Sequence, residues 1–234
     1  MNKFFIKISL VFAMLSFVAC AERGIDIVNL RCDYMESPLG IDNLNPVLQW
    51  QLISEGTGKS QSAYRIIVSD DLSLIKRGQG DYWDSGKVLS SESIVRYQGK
   101  KLSARMQLYW KVMAWDECDV PSEWSNIADW SMGLLCPSDW KAQWIGNRED
   151  IFPDSTLTFP APYFRKEFVV AKPIKKAMAY VCGLGFYEMY FNGERVGEQV
   201  LAPAVTNYDR RSLRNCCIIM MTSLHNVYFI MYLM

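Results

Sequence analysis

From Leu108 to Trp115 the chain reads Leu-Tyr-Trp-Lys-Val-Met-Ala-Trp, and this segment constrains the fold more than any other. Its period is two, which puts Trp110, Val112 and Ala114 on one face and Lys111, Met113 and Trp115 on the other. Asn45-Pro-Val-Leu-Gln-Trp50 has the same character, with Pro46 at the start, where a missing N–H does least harm. In Ala63–Ser69, Tyr64, Ile66 and Val68 alternate against Arg65 and Ile67. Asp81–Gly86 is a short aromatic segment running into a turn, and Pro121–Ser125 leads into Trp130–Gly133 to close the pattern. Turns recur every ~8–12 residues and no amphipathic helix of useful length interrupts them, so residues 26–135 are expected to form an antiparallel β-sandwich.

A second β pattern follows a polar, proline-containing linker over residues 136–162. Tyr163–Val170 and Lys175–Val181 read as strands, and Phe186–Gly197 reads as a hairpin. Asn192-Gly193 supplies the two positive φ angles of a type I′ turn between alternating strands. The expected class is therefore all-β, an antiparallel sandwich followed by a second β pattern.

Composition removes several functions. The 234 residues carry 25 basic and 25 acidic side chains, which leaves no basic footprint for nucleic acid. One histidine excludes sites built from several imidazoles. Eight tryptophans fit β packing or surfaces that stack on sugar rings. Of seven cysteines, the six after Cys20 are scattered without C-x-x-C spacing, so neither a metal site nor a disulfide framework is expected, and buried free thiols are the default. No D-x-D-x-D-G loop for Ca²⁺ occurs.

Residues 1–20 read as an export signal: Lys3 and Lys7 precede the apolar run Ile8–Leu15, and small residues come before Cys20. Two processing patterns overlap. Val18-Ala19-Cys20 resembles a lipobox, with Phe17 in place of the usual leucine, and makes Cys20 a lipidation site. Ala19-Cys20-Ala21 fits ordinary signal cleavage. Either reading places the protein outside the cytoplasm of a bacterium, in the periplasm or at the cell surface.

The motifs L-x-W, A-Y-R-I-x-V and Y-W-K-V-x-A-W-D-x…P-S-x-W-S of residues 26–135 resemble a fibronectin type III-like domain. Y-E-x-Y-x-N-G-x-x-V-G is a hairpin common in jelly-roll domains of glycoside hydrolases. Combined with P-S-D-W-K-A-x-W-I-G (137–146) and L-x-P-x-x-T-x-Y-D-x-R (201–210), residues 26–211 resemble the N-terminal part of bacterial α-L-rhamnosidases. Ala204-Val205 stands where that family usually has Gly-Trp.

The resemblance implies a fibronectin type III-like sandwich followed by an incomplete jelly-roll-like sandwich over 163–211. It also implies a rhamnose-containing glycan as partner, contact with a downstream catalytic domain, and no cofactor. In the family, an (α/α) barrel carries the two carboxylates of an inverting mechanism. No helical pattern of that length occurs in residues 21–234, so no catalytic residue is assigned. Glu149-Asp150, Asp70-Asp71 and Glu92 read as turn or loop residues. Trp115 and Glu188 are the candidate glycan contacts, each weighed against packing within its own domain, as is Trp124. The rival function is a glycan-binding surface lipoprotein that does not cleave. Residues 212–234 lack Gly, Pro, Asp, Glu and Lys and do not resemble the family's continuation, so this β-prone tail reads as translated out of frame.

Overall fold

The computed structural model describes residues 24–145, 163–169, 177–183 and 186–197, together with the backbone of 215–219 and 226–233. All of its longer elements are strands, and the all-β expectation holds. Residues 24–36, 47–99 and 109–128 make one compact unit, and residues 37–46, 100–108 and the described residues from 129 onward make a second.

Two antiparallel sheets form the N-terminal sandwich. The smaller contains β1 (Asp26–Cys32), β2 (Val47–Ile53) and β6 (Ile94–Arg96) in the order β1-β2-β6. The larger is built on β3 (Gln61–Ser69) and β7 (Gln107–Asp116), which pair over most of their length. β4 (Trp83–Asp84) and β5 (Val88–Leu89) lie on the far side of β3, and β8 (Ala128–Ser131) lies on the far side of β7. The one α-helix among the described residues is the single turn α1 (Leu72–Lys76). Asp71 caps it by accepting from the Ser73 amide at 2.7 Å, which satisfies a donor that a helix start otherwise leaves free.

The alternation in β7 is realised as expected: Trp110, Val112 and Ala114 are fully buried, as are Leu48 and Ile66. Fully burying an aliphatic side chain of this kind contributes about 1.5–3 kcal/mol. Two expectations are corrected. Ile67 is as buried as Ile66 although it faces the other way, because the outer face of β3 is also covered: Ile67 lies opposite Lys111, above which Trp124 is seated. Pro121–Asn126 forms no strand but an irregular segment bonded along the edge of β7.

One buried polar side chain ties the core. Gln61 accepts from the Trp50 indole N–H at 3.0 Å and donates to the carbonyls of Ser90 and Glu92 at 3.0 and 2.8 Å. In the second unit, Leu102, Leu108, Trp130 and Met132 are fully or almost fully buried. Gly133 there passes so close to Gly40 that an added Cβ would meet its carbonyl oxygen at 2.5 Å.

The C-terminal strands are β9 (Tyr163–Val169), β10 (Ala177–Val181), β11 (Tyr187–Phe191), β12 (Glu194–Arg195), β13 (Asn215–Ile219) and β14 (Asn226–Leu233). β11 and β12 form the expected hairpin, with Asn192 and Gly193 at φ 49° and 86°. The β-prone tail contributes strands: β14 runs antiparallel between β11 and β9, and β13 pairs with β10. Tyr187, Met189 and Phe191 are buried on alternate positions of β11.

Candidate functional site

The outer face of β3 and β7 gathers two indoles and three cations. Trp115 is half-buried, and the Lys87 ammonium sits 4.7 Å from its ring centroid while pairing with Asp119. Trp124 is approached by the Lys111 ammonium at 4.8 Å and by the Arg65 guanidinium carbon at 5.8 Å. Such contacts exploit the negative face of the ring. Arg65 is also fixed by a two-point bond to Asp84, at 2.9 and 2.7 Å. That hydrogen bond raises the guanidinium pKa and lowers that of the Asp84 carboxyl.

Lys111 is only 7% exposed, and desolvation lowers its ammonium pKa. The strand puts its stem in the sheet's covered face, and the Trp124 ring supplies the compensating electron density. Trp115 and Trp124 therefore each already carry a cation at the ring. A pyranose would have to share or displace it.

Glu188 lies on β11, with its side chain 25% exposed. The Tyr190 hydroxyl donates to Oε2 at 2.9 Å and Arg195 reaches Oε1 at 3.2 Å. These are local consequences of the hairpin. Positions 188 and 190 share a face because the strand period is two, and the turn pairs Tyr190 with Arg195. The bond to Glu188 raises the Tyr190 hydroxyl pKa. Both carboxylate oxygens are thus engaged within their own hairpin, in a polar cluster that can still accept from an external hydroxyl through remaining lone pairs.

The other carboxylates noted in the sequence do not converge. Asp71 caps α1, and Glu92 contributes its backbone carbonyl to Gln61. Glu149, Asp150 and Cys20 lie outside the described residues, as does Ala204-Val205. Among the described residues there is no group of three or more His, Cys, Asp or Glu side chains placed to hold a metal, and no helix long and apolar enough to cross a membrane. The cysteine expectation is corrected in part. Cys32 is buried, and burial pushes its thiol pKa up, but Cys118 and Cys136 are exposed. Each of those two sits in a polar turn, which apolarity alone does not reveal. Sequence reasoning also missed Arg65 and Lys111 as the partners of Trp124; Arg65 and Lys111 stand on strands whose register brings them to adjacent levels of one face.

Comparison with known proteins fits both halves of the chain. Residues 27–136 match the Rha78A-like N-terminal immunoglobulin domain, and residues 172–218 match the α-L-rhamnosidase N-terminal domain. An α-L-rhamnosidase of Formosa agariphila is 37% identical over 209 residues, which is 82% of this chain and 22% of that protein. One of Alteromonas sp. is 36% identical over 181 residues, covering 75% of this chain and 20% of that protein. The chain thus spans about a fifth of the length of these relatives. Among solved structures, the α-L-rhamnosidase of Dictyoglumus thermophilum superposes with a TM-score of 0.81 at 36% identity, over 89% of this chain and 25% of that one. A Streptomyces avermitilis α-L-rhamnosidase, solved with L-rhamnose, gives a TM-score of 0.52 at 25% identity, over 89% of this chain and 22% of that one.

Proposed function

We propose that this chain, which belongs to the α-L-rhamnosidase family by its two N-terminal domains, serves as the accessory, non-catalytic portion of a secreted α-L-rhamnosidase. The observation that carries the reading is the pair of domain matches in the family's order, 27–136 and then 172–218. In this reading the complete enzyme removes terminal α-L-rhamnose from glycans by inversion: one carboxylic acid protonates the departing oxygen while a carboxylate activates water. Neither role is assigned to a carboxylate among the described residues: Asp71 caps α1, Asp84 and Asp119 are in ion pairs, and Glu188 is engaged within its hairpin. The accessory domains would hold the glycan or the catalytic domain in place.

Export follows from the leader-like residues 1–20, and Cys20 is proposed as the lipid anchor. Cys20→Ala should move the protein from the membrane to the soluble fraction; unchanged membrane fractionation would sink the anchor.

The alternative is a stand-alone glycan-holding lipoprotein using Trp115 and Glu188. It draws on the half-buried Trp115 ring beside Lys87 and Asp119, groups that can bond sugar hydroxyls. An aryl α-L-rhamnoside assay run beside a glycan array separates the readings. The accessory reading expects no turnover by residues 1–234. Binding that is lost in Trp115→Ala would favour the holding module, and turnover would overturn both.

A further inference from the structure

The two central strands of the larger sheet, β3 and β7, end their hydrogen-bond ladders in the same unusual way. At the β7 edge, Ser122 donates its backbone N–H to Ala114 O at 2.7 Å, and its hydroxyl accepts from Ala114 N at 3.1 Å. The hydroxyl then donates to the carbonyl of the next residue, Glu123, at 2.7 Å. Three residues on, Ser125 repeats every step with Val112 O, Val112 N and the Asn126 carbonyl, at 2.9, 3.0 and 2.9 Å. At the opposite edge, Ser85 does the same with Ile66 O, Ile66 N and the Gly86 carbonyl, at 3.0, 2.8 and 2.8 Å. Ser85 fills the gap on β3 between the pairing of β4 and that of β5.

In each case a hydroxyl replaces the carbonyl that a neighbouring strand would offer. Ser122 and Ser125 spend three residues for every two of β7, so their segment cannot continue as an in-register strand. It satisfies the edge groups while presenting no regular row of its own for another strand to join. Arg65 stands between the two edges. It grips Asp84, the residue before Ser85, and lies against Trp124, the residue before Ser125. Lys111 holds the Trp124 ring as well.

We propose that Ser85, Ser122 and Ser125 are staples that seal the stretches of β3 and β7 left unpaired beside β4, β5 and β8, and that what they keep out is a second copy of the same chain adding its own edge by antiparallel pairing. Trp124 and Arg65 are the positioning residues that hold the staples down. Identical edges meeting about a two-fold axis are the simplest self-complementary arrangement.

The test uses the full chain, with site-resolved amide exchange and sedimentation velocity. In Ser122→Ala/Ser125→Ala, exchange at Val112 and Ala114 should rise by at least about tenfold while Ile66 stays protected, and concentration-dependent association should appear. Ser85→Ala should reverse the pattern, exposing Ile66 alone. Ser122→Thr/Ser125→Thr keeps the hydroxyls and should behave as the parent. Arg65→Ala should loosen all three amides. If the alanine pair fails to fold while the threonine pair folds, the staples stand. An alanine pair with parental exchange overturns them, as does a threonine pair as damaged as the alanine pair. Fraying without any gain in self-association overturns the role against a second copy.

Discussion

The N-terminal sandwich and the C-terminal strands have the same alternating sequence pattern, yet their burial differs. In the sandwich, β3 and β7 hide whole side chains, with Ile66, Ile67, Val68, Trp110, Val112 and Ala114 at zero exposure. In the C-terminal region, β10 is only partly buried along its length, β9 is mostly exposed, and burial concentrates in Tyr187, Met189 and Phe191. Alternation therefore writes a strand, but it does not by itself close a core. Closure in the sandwich comes from a second layer over the sheet and from groups such as Gln61, whose buried amide bonds the Trp50 indole and two carbonyls.

The largest expected effect tests that contrast directly. Trp110→Ala should cost about 3–5 kcal/mol by emptying the centre of β7, read as a lowered urea midpoint. Amide protection should then collapse across residues 107–116. In the parent, protection over 107–116 should exceed that over 187–195; equal protection of the two segments would break the comparison. Gln61→Leu comes next. It leaves the Trp50 indole N–H and the carbonyls of Ser90 and Glu92 without their partner, at about 1–3 kcal/mol per stranded group. A variant as stable as the parent would show that water replaces all three bonds.

The hairpin offers the matching probe on the other side. Gly193 holds φ 86° at the turn, so Gly193→Ala should cost about 1–2 kcal/mol from the left-handed conformation alone. Loss of exchange protection confined to 187–195 is expected. If the midpoint of the sandwich moves as well, the hairpin's stability is not local.

How much of this was legible in the sequence follows the range of the interactions. The type I′ turn at Asn192-Gly193 and the inward face of β7 depend on neighbours one to four residues away, and both were readable. The burial of Ile67 was not, because it depends on the β3–β7 register that sets it opposite Lys111, more than forty residues along the chain. Nor was the true form of Pro121–Asn126: a Ser-x-x-Ser spacing looks like a strand or turn until the hydroxyls are seen taking the place of carbonyls. For the candidate site, the sequence offers Trp115 as an aromatic on the strongest strand and Glu188 as a carboxylate inside the hairpin. What type could not show is that each would already be engaged, Trp115 by Lys87 and Glu188 by Tyr190 and Arg195. The Glu188 cluster was within reach, since positions 188 and 190 share a face and the turn sets Arg195 against Tyr190. The Lys87 contact required the tertiary fold.

The smallest expected effect is on acid stability, and it belongs to the sandwich. The Glu117 carboxyl is held down to about 2, first by its own backbone N–H and then by Lys59. Asp84 is lowered by its bonds to Arg65. A carboxyl with a depressed native pKa is protonated more readily when the chain is unfolded, so its contribution is complete above the unfolded value and disappears as the pH falls through the native one. Glu117 should therefore lose its contribution between its ordinary 4.5 and about 2. Because the group is solvent-exposed, the loss should be modest. Following the thermal midpoint from pH 7 to pH 2 should show a decline that steepens below 4.5, and Glu117→Gln should flatten part of that slope without changing the neutral-pH amide protection of 107–116. A slope identical in the variant and the parent would assign the acid sensitivity to other carboxylates, Asp84 foremost, and Asp84→Asn would then be the substitution that removes it.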